Sequence, residues 1–172
     1  MNILSQIFGI LAIIVFGISP HQKTKKKVLI VQLLANILYA IQYTLLYAFS
    51  AVVTNIIGGI KNYIYYYYEK KENKIPIKVL VIYIIIILIF GIFTFNGIYS
   101  LIPIFVSVLY GYGTWQNNLK SYRIINIVGS ILWIIYNCIV RAYVGVIGNV
   151  FQLTSTIIAI IRLDIIKDKN SI

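Results

Sequence analysis

The chain has 172 residues, of which 60% belong to the AVILMFWYC set and 11% are charged, and its mean hydropathy is +0.91. A soluble domain carries roughly 25% charged residues and about 45–50% apolar ones, so an ordinary water-soluble enzyme is excluded. Fifteen Lys and Arg against four Asp and Glu give a formal charge of +11, an excess that in a membrane protein belongs to cytoplasmic loops and needs no nucleic-acid partner.

Taken in chain order, Met1 to Ser19 is uncharged and meets the minimum of about 17 apolar residues for a membrane span. It lacks a basic leading segment and a small-residue cleavage site, so it reads as a retained span and not as a signal peptide. From Val28 no charge appears until Lys61, and small residues near Ala48 to Ser50 divide this stretch into spans Val28 to Tyr47 and Ala51 to Tyr68. After the polar stretch Glu69 to Lys78, Val79 to Phe95 is apolar on every face, as suits a helix that meets lipid around most of its circumference. A turn at Phe95-Asn96-Gly97 leads to spans Tyr99 to Thr114, Tyr122 to Val140 and Val144 to Ile161, separated by Gln116 to Lys120 and by Arg141-Ala142-Tyr143.

Seven spans put thirteen of the fifteen basic residues on one side, leaving Arg141 opposite and Lys61 inside the third span. Retention of positive charge in the cytoplasm then predicts the amino terminus outside and the carboxyl terminus inside. The run Tyr63, Tyr65, Tyr66, Tyr67 and Tyr68 falls at the inner headgroup level, where it reads as an interfacial anchor. His21, among loop lysines, reads as a solvated residue, and the lone Cys138 as a buried, inert thiol with no disulfide partner in the chain.

An ungapped offset of 94 aligns spans one to three with spans five to seven. It pairs Gly17 with Gly111, Gln22 with Gln116, Lys26 with Lys120, Ala48 with Ala142 and Asn55 with Asn149, and it aligns Gln32 with Asn126, Asn36 with Ser130 and Tyr39 with Trp133. Two three-span units of odd count need one further crossing to lie in the same orientation, and the fourth span supplies it. The expected organisation is a first repeat over 1–68, a loop and linker helix over 69–97, and a second repeat with a short cytoplasmic tail over 98–172.

Gly9, Ala12, Ser19, Pro20 and Gln22, followed by lysines, resemble the first-helix signature of the PQ-loop and SWEET/SemiSWEET superfamily. His21 here separates Pro20 from Gln22, and the second repeat reads Thr114-Trp115-Gln116 without a proline. The stretch QLLANILYAIQYTLLYAFSAVVTNIIG, Gln32 to Gly58, resembles the YgjV-type bacterial inner membrane proteins. The resemblance implies an all-α membrane protein with seven transmembrane helices in a SWEET-like 3+1+3 arrangement of two parallel triple-helix repeats, in the bacterial inner membrane.

Polar groups left unpaired in hydrocarbon cost several kcal/mol, so in-membrane polar residues face a cavity or another helix. Gln32, Asn36, Tyr39 and Tyr43 form one stripe of span two, repeated in span six by Asn126, Ser130, Trp133 and Asn137. Asn55, Gly58 and Asn62 share a face of span three, and Asn149, Gln152 and Thr156 the matching face of span seven. In SWEET-like transporters an Asn on the third helix of each repeat and a Trp or smaller residue on the second line the sugar site. The resemblance therefore marks Tyr39, Asn55, Trp133 and Asn149 as a candidate solute site, with Asn36, Ser130, Gln32 and Asn126 beside them. Lys61 either snorkels to the inner headgroups or contacts an anionic substrate or lipid.

All four acids lie at or beyond the predicted inner ends of spans, and no phosphate-cradling loop motif is present. No catalytic residue, metal site or cofactor is expected, and neither is an acidic proton relay. The expected function is transport or facilitated passage of a small polar solute by alternating access. The alternative is a membrane-embedded binding, receptor-like or accessory protein without transport. Its partners are the bilayer and the solute, with a homo-oligomer left open.

Overall fold

The computed structural model describes residues 3–45, 49–93, 95, 97–139 and 143–166. Among these, seven α-helices follow one another: α1 (Ile3–Ile18), α2 (Lys25–Leu45), α3 (Phe49–Lys70), α4 (Ile77–Phe93), α5 (Leu101–Trp115), α6 (Leu119–Ile139) and α7 (Tyr143–Ile160). Short 3-10 turns cover Ser19–His21 and Ile98–Ser100, and a π-helical turn over Ile161–Ile165 extends α7. Ala48, Asn96, Arg141, Ala142, Lys167, Asp168 and Lys169 lie outside the described residues. Phe49 and Ser50, expected in a turn, already belong to α3.

Each expected span has its helix, but α2, α3 and α6 run past the apolar stretch into charged sequence. Backbone hydrogen bonding continues wherever a cap closes the end, whatever the hydropathy. Thr24 Oγ1 accepts from the Lys27 amide at 3.4 Å, and Asn118 Oδ1 accepts from the amides of Lys120 at 2.9 Å and Ser121 at 3.4 Å. These two caps are 94 residues apart.

Four of the helices are long and apolar enough to cross a membrane, over Ile3–His21, Lys25–Leu45, Leu119–Ile139 and Gly145–Ile165. Helices α4 and α5 are apolar but shorter, at 17 and 15 residues, whereas α3 has 22 residues and carries Asn55, Lys61, Asn62 and its tyrosines. Of the seven expected spans, four among the described residues are thus met by both length and apolarity.

The chain divides into two compact units, residues 1–74 and 75–172. In the first, α2 packs against both α1 and α3, and Lys25 Nζ meets Glu69 Oε1 at 2.9 Å, joining the start of α2 to the end of α3. In the second, α4 packs on α5, α5 on α6 and α6 on α7. Leu80, Tyr83, Ile87 and Gly91 form the buried stripe of α4, and the Tyr83 hydroxyl donates to the Ser107 carbonyl at 3.3 Å. The remaining faces of α4 carry exposed Ile, Leu, Val and Phe, as its all-round apolarity led one to expect. The Trp115 indole N–H donates to the Ile75 carbonyl at 3.0 Å, tying the approach to α4 to the end of α5.

Burial runs opposite to that of a soluble protein. Exposed large side chains are mostly isoleucine and leucine on every helix, while Asn62, Asn126, Thr114, Thr156, Ser19 and Ser130 are among the fully buried ones. Lipid tails are as apolar as leucine, so hydrocarbon contact costs the outer surface nothing, and polar and small side chains gather where helix meets helix.

Candidate functional site

The α2–α3 contact is set by a glycine. A Cβ on Gly58 would lie 3.3 Å from Asn36 Oδ1, so the Asn36 amide occupies the space a side chain there would take. The two helices are antiparallel, and three residues further along each from this contact Tyr39 stands level with Asn55. Four residues in the other direction, Gln32 stands level with Asn62, both buried. A groove of about 310 Å³ opens between the helices, lined by Leu33, Asn36, Ile37, Ala40, Asn55, Ile56, Gly59, Ile60 and Tyr63. It brings together two of the predicted site residues, Asn36 and Asn55. Tyr39 stacks along its own helix on Tyr43, with ring centroids 6.2 Å apart.

The α6–α7 contact repeats this register. A Cβ on Gly145 would lie 2.8 Å from Asn137 Nδ2. Four residues inward from that contact Trp133 stands level with Asn149, seven residues inward Ser130 stands level with Gln152, and then comes Asn126 with Thr156. Shifting the Asn36–Gly58 level by 94 gives the Ser130–Gln152 level, with the larger side chain moved from the second helix to the third. At the far end Arg123 Nη1 donates to Asp164 Oδ1, between side chains only 4% and 9% exposed. A polar seam therefore follows α6 and α7 from the ion pair to Asn137, and a second follows α2 and α3 from Lys25–Glu69 to Tyr43.

Within the α6–α7 seam the side chains are used unequally. The Asn149 amide donates to the Gly145 carbonyl of its own helix at 2.8 Å, and Trp133 meets Tyr136 edge-on at 5.5 Å. Thr156 donates to the Gln152 carbonyl at 2.8 Å. Both side-chain polar atoms of Asn126 and of Gln152, and the Ser130 hydroxyl, are buried and meet no protein hydrogen-bond partner.

A family model described as Imp-YgjV, bacterial inner membrane protein, matches residues 3–167. The chain belongs to this family. It is a bacterial inner membrane protein, and the apolar outer surface of its helices is the part that contacts the bilayer. No curated protein and no solved structure matches it.

Four readings of this Imp-YgjV chain change with the structure. Lys61 does not snorkel: it is 6% exposed, with Nζ 5.6 Å from the centroid of the Tyr65 ring. Tyr65 is fully buried and so is not an interfacial anchor, whereas Tyr63 and Tyr67 are exposed and Lys71 lies over the Tyr67 ring at 4.5 Å. A period of 3.6 turns Tyr65 to the same face as Lys61 and Asn62, a signal that a tyrosine count hides. Cys138 is exposed on α6, because the inward position beside it goes to Asn137. Asp164, expected just past the end of the last span, belongs to the helical continuation of α7 and to the apolar stretch Gly145–Ile165.

Three further side chains have structural roles that the sequence did not assign to them. Gln22 and Gln116, matched by the offset, build the turn after the first helix of each unit: Gln22 donates to the Ile18 carbonyl at 3.2 Å, and Gln116 to the carbonyls of Gly113 at 3.1 Å and Asn118 at 2.7 Å. Arg123, counted by its charge with the basic residues between spans five and six, is buried in α6. Its spacing of three and seven from Asn126 and Ser130 was the available signal. Among the described residues no group of three or more His, Cys, Asp or Glu is placed to hold a metal ion.

Proposed function

We propose that the protein is a transporter or facilitator of a small polar solute, sugar-like or another small metabolite. In this reading α1–α3 and α5–α7 are two parallel repeats joined by α4 in a SWEET-like manner, with the amino terminus outside and the carboxyl terminus cytoplasmic. Alternating access exposes the Tyr39–Asn55 and Trp133–Asn149 levels first to one side and then to the other. The single observation that carries the reading is that amide and hydroxyl side chains at mid-length of α6 and α7 are buried without protein partners inside a membrane protein. Simple helix adhesion would have paired them. The register shared by α2–α3 and α6–α7 supports the repeat, and the aromatic and amide groups at each level suit a ligand with an apolar face and hydroxyls.

Uptake into proteoliposomes across a broad panel of charged and uncharged solutes tests the proposal. Flux of at least one class is expected, reduced at least about tenfold by Asn55→Ala with Asn149→Ala, the loss of roughly 1.4 kcal/mol of interaction. Absence of flux for every solute, or full flux in the double variant, overturns it. The ion pairs that close one end of each seam favour a second reading, a binding protein that moves nothing across. Ligand-dependent thermal stabilisation without flux selects it.

A further inference from the structure

The groove between α2 and α3 is longer than the stretch at Asn36 and Asn55. A second hollow of about 330 Å³ continues it past Ile37, Ala40 and Ile56 to Thr44, Leu45 and Val52. From Leu33 to Leu45 the groove follows α2 for about 18 Å, at roughly 1.5 Å per residue. That is close to the roughly 15 Å of hydrocarbon in one leaflet of a bilayer. Its surface is almost wholly apolar, since the Asn36 amide is turned to Gly58 and the side chains of Ile37, Ile56 and Ile60 stand exposed along it. A hydrocarbon chain suits such a surface, which gives it contacts on several sides.

One end of the groove is basic. Steps of three and four residues carry its α2 wall from Leu33 through Ile30 to Lys26, and its α3 wall from Tyr63 through Tyr67 to Lys70 and Lys71. The ion pair of Lys25 with Glu69 at 2.9 Å shows that these two helix ends adjoin. It also engages one acid, leaving Glu72 against Lys26, Lys27, Lys70, Lys71 and Lys74 at this end. Lys70 and Lys71 are exposed, Lys26 is half-buried, and the Lys71 ammonium lies 4.5 Å over the ring of the exposed Tyr67. Because α2 begins where α3 ends, their helix dipoles offset and the lysines set the local field. Basic pockets between helices at headgroup level take anionic lipid headgroups. We infer that the α2–α3 groove is a binding site for an anionic glycerophospholipid, with one acyl chain in the groove and the phosphate among Lys26, Lys70 and Lys71. The groove fixes where the chain lies, and the lysines select the headgroup, since a chain gains little by leaving other hydrocarbon. The second unit lacks this mouth: the offset of 94 puts Ile157, Ile161, Asp164 and Ile165 where Tyr63, Tyr67, Lys70 and Lys71 stand. The site does not depend on transport.

The full chain, delipidated in detergent, is titrated with dioleoyl phosphatidylglycerol or dioleoyl phosphatidylethanolamine, the first anionic and the second of no net charge. Bound lipid is counted by native mass spectrometry. The anionic lipid is expected to bind at least about tenfold more tightly, as several lysines near one phosphate require. Lys26→Gln with Lys70→Gln and Lys71→Gln is expected to reduce that preference below about twofold, whereas Lys120→Gln, the change aligned with Lys26 in the second unit, leaves it intact. Ala40→Phe fills the groove where its two hollows meet and is expected to weaken both lipids, with the lipid-free melting midpoint as the check that it folds. Glycerol phosphate, a headgroup without chains, is expected not to bind, and it decides the need for a chain independently of that variant. Several results overturn the site: equal binding of the two lipids, a preference that survives loss of the three lysines, or glycerol phosphate bound as tightly as the lipid. Full lipid binding by folded Ala40→Phe, or a dimer mass that Ala40→Phe abolishes, overturns it as well, the latter by giving the groove to a second copy of the chain.

Discussion

Replacing Arg123 by Met tests whether the second helix pair is clamped by a buried charge. With the guanidinium gone, Asp164 is left without its partner at 9% side-chain exposure, and its Oδ2 already meets no partner. Breaking such a pair from one side costs about 3–5 kcal/mol. For a chain of this length roughly 1 kcal/mol moves the melting midpoint by about 2–4 °C, so a fall of roughly 6–20 °C is expected. Trp115 and Trp133 both lie in the unit concerned and report its unfolding by fluorescence in detergent. Changing both partners, Arg123→Met with Asp164→Leu, is expected to recover most of the loss, since apolar replacement of a buried pair is often neutral. Lys25→Met provides the comparison: Glu69 keeps 20% of its side chain exposed, and the cost falls toward the roughly 1 kcal/mol of solvated pairs. A double variant as unstable as the two single losses combined, or a Lys25→Met loss equal to that of Arg123→Met, refutes the reasoning.

Gly145→Ala sets a methyl 2.8 Å from Asn137 Nδ2 and is expected to cost about 1–3 kcal/mol of stability by overpacking. Gly58→Ala, at 3.3 Å from Asn36 Oδ1, costs less, and melting curves rank the two. Trp115→Phe removes the bond to the Ile75 carbonyl, a loss of about 1 kcal/mol, and hydrogen exchange is expected to speed up at the start of α4. The proposed topology puts the exposed Cys138 near the outer face, so an impermeant maleimide added to spheroplasts labels it. Lys71→Cys in a Cys138→Ser background then reacts only after permeabilisation, and the reverse pattern inverts the topology.

The helices were legible because apolar runs of about 20 residues have one economical solution in a bilayer. Their ends were less so, since hydropathy marks where lipid stops and Thr24 and Asn118 mark where the helix begins. The polar seams were legible as stripes, and the shared offset put Tyr39 with Asn55 and Trp133 with Asn149 at matching levels. What each side chain does in its seam was not. Asn149 turns back to its own backbone, Lys61 goes inward to Tyr65, and Asn126 and Gln152 are buried without protein partners. These outcomes depend on side-chain direction and on which neighbour leaves room, and residue spacing carries neither.

The π-helical turn at Ile161–Ile165 has a consequence for the phase of the chain. By the offset of 94, the residue matching Glu69 is Leu163, and Asp164 comes one place late, a swing of about 100° in a regular helix. A π-turn winds one extra residue into the same stretch of axis, so the late acid comes back into the bearing that Glu69 holds in α3. The turn works as a slack link. A one-residue deletion within 161–163 would close it to ordinary helix and leave the acid facing Arg123, whereas the same deletion late in α3, which has no spare residue, would swing Glu69 away from Lys25.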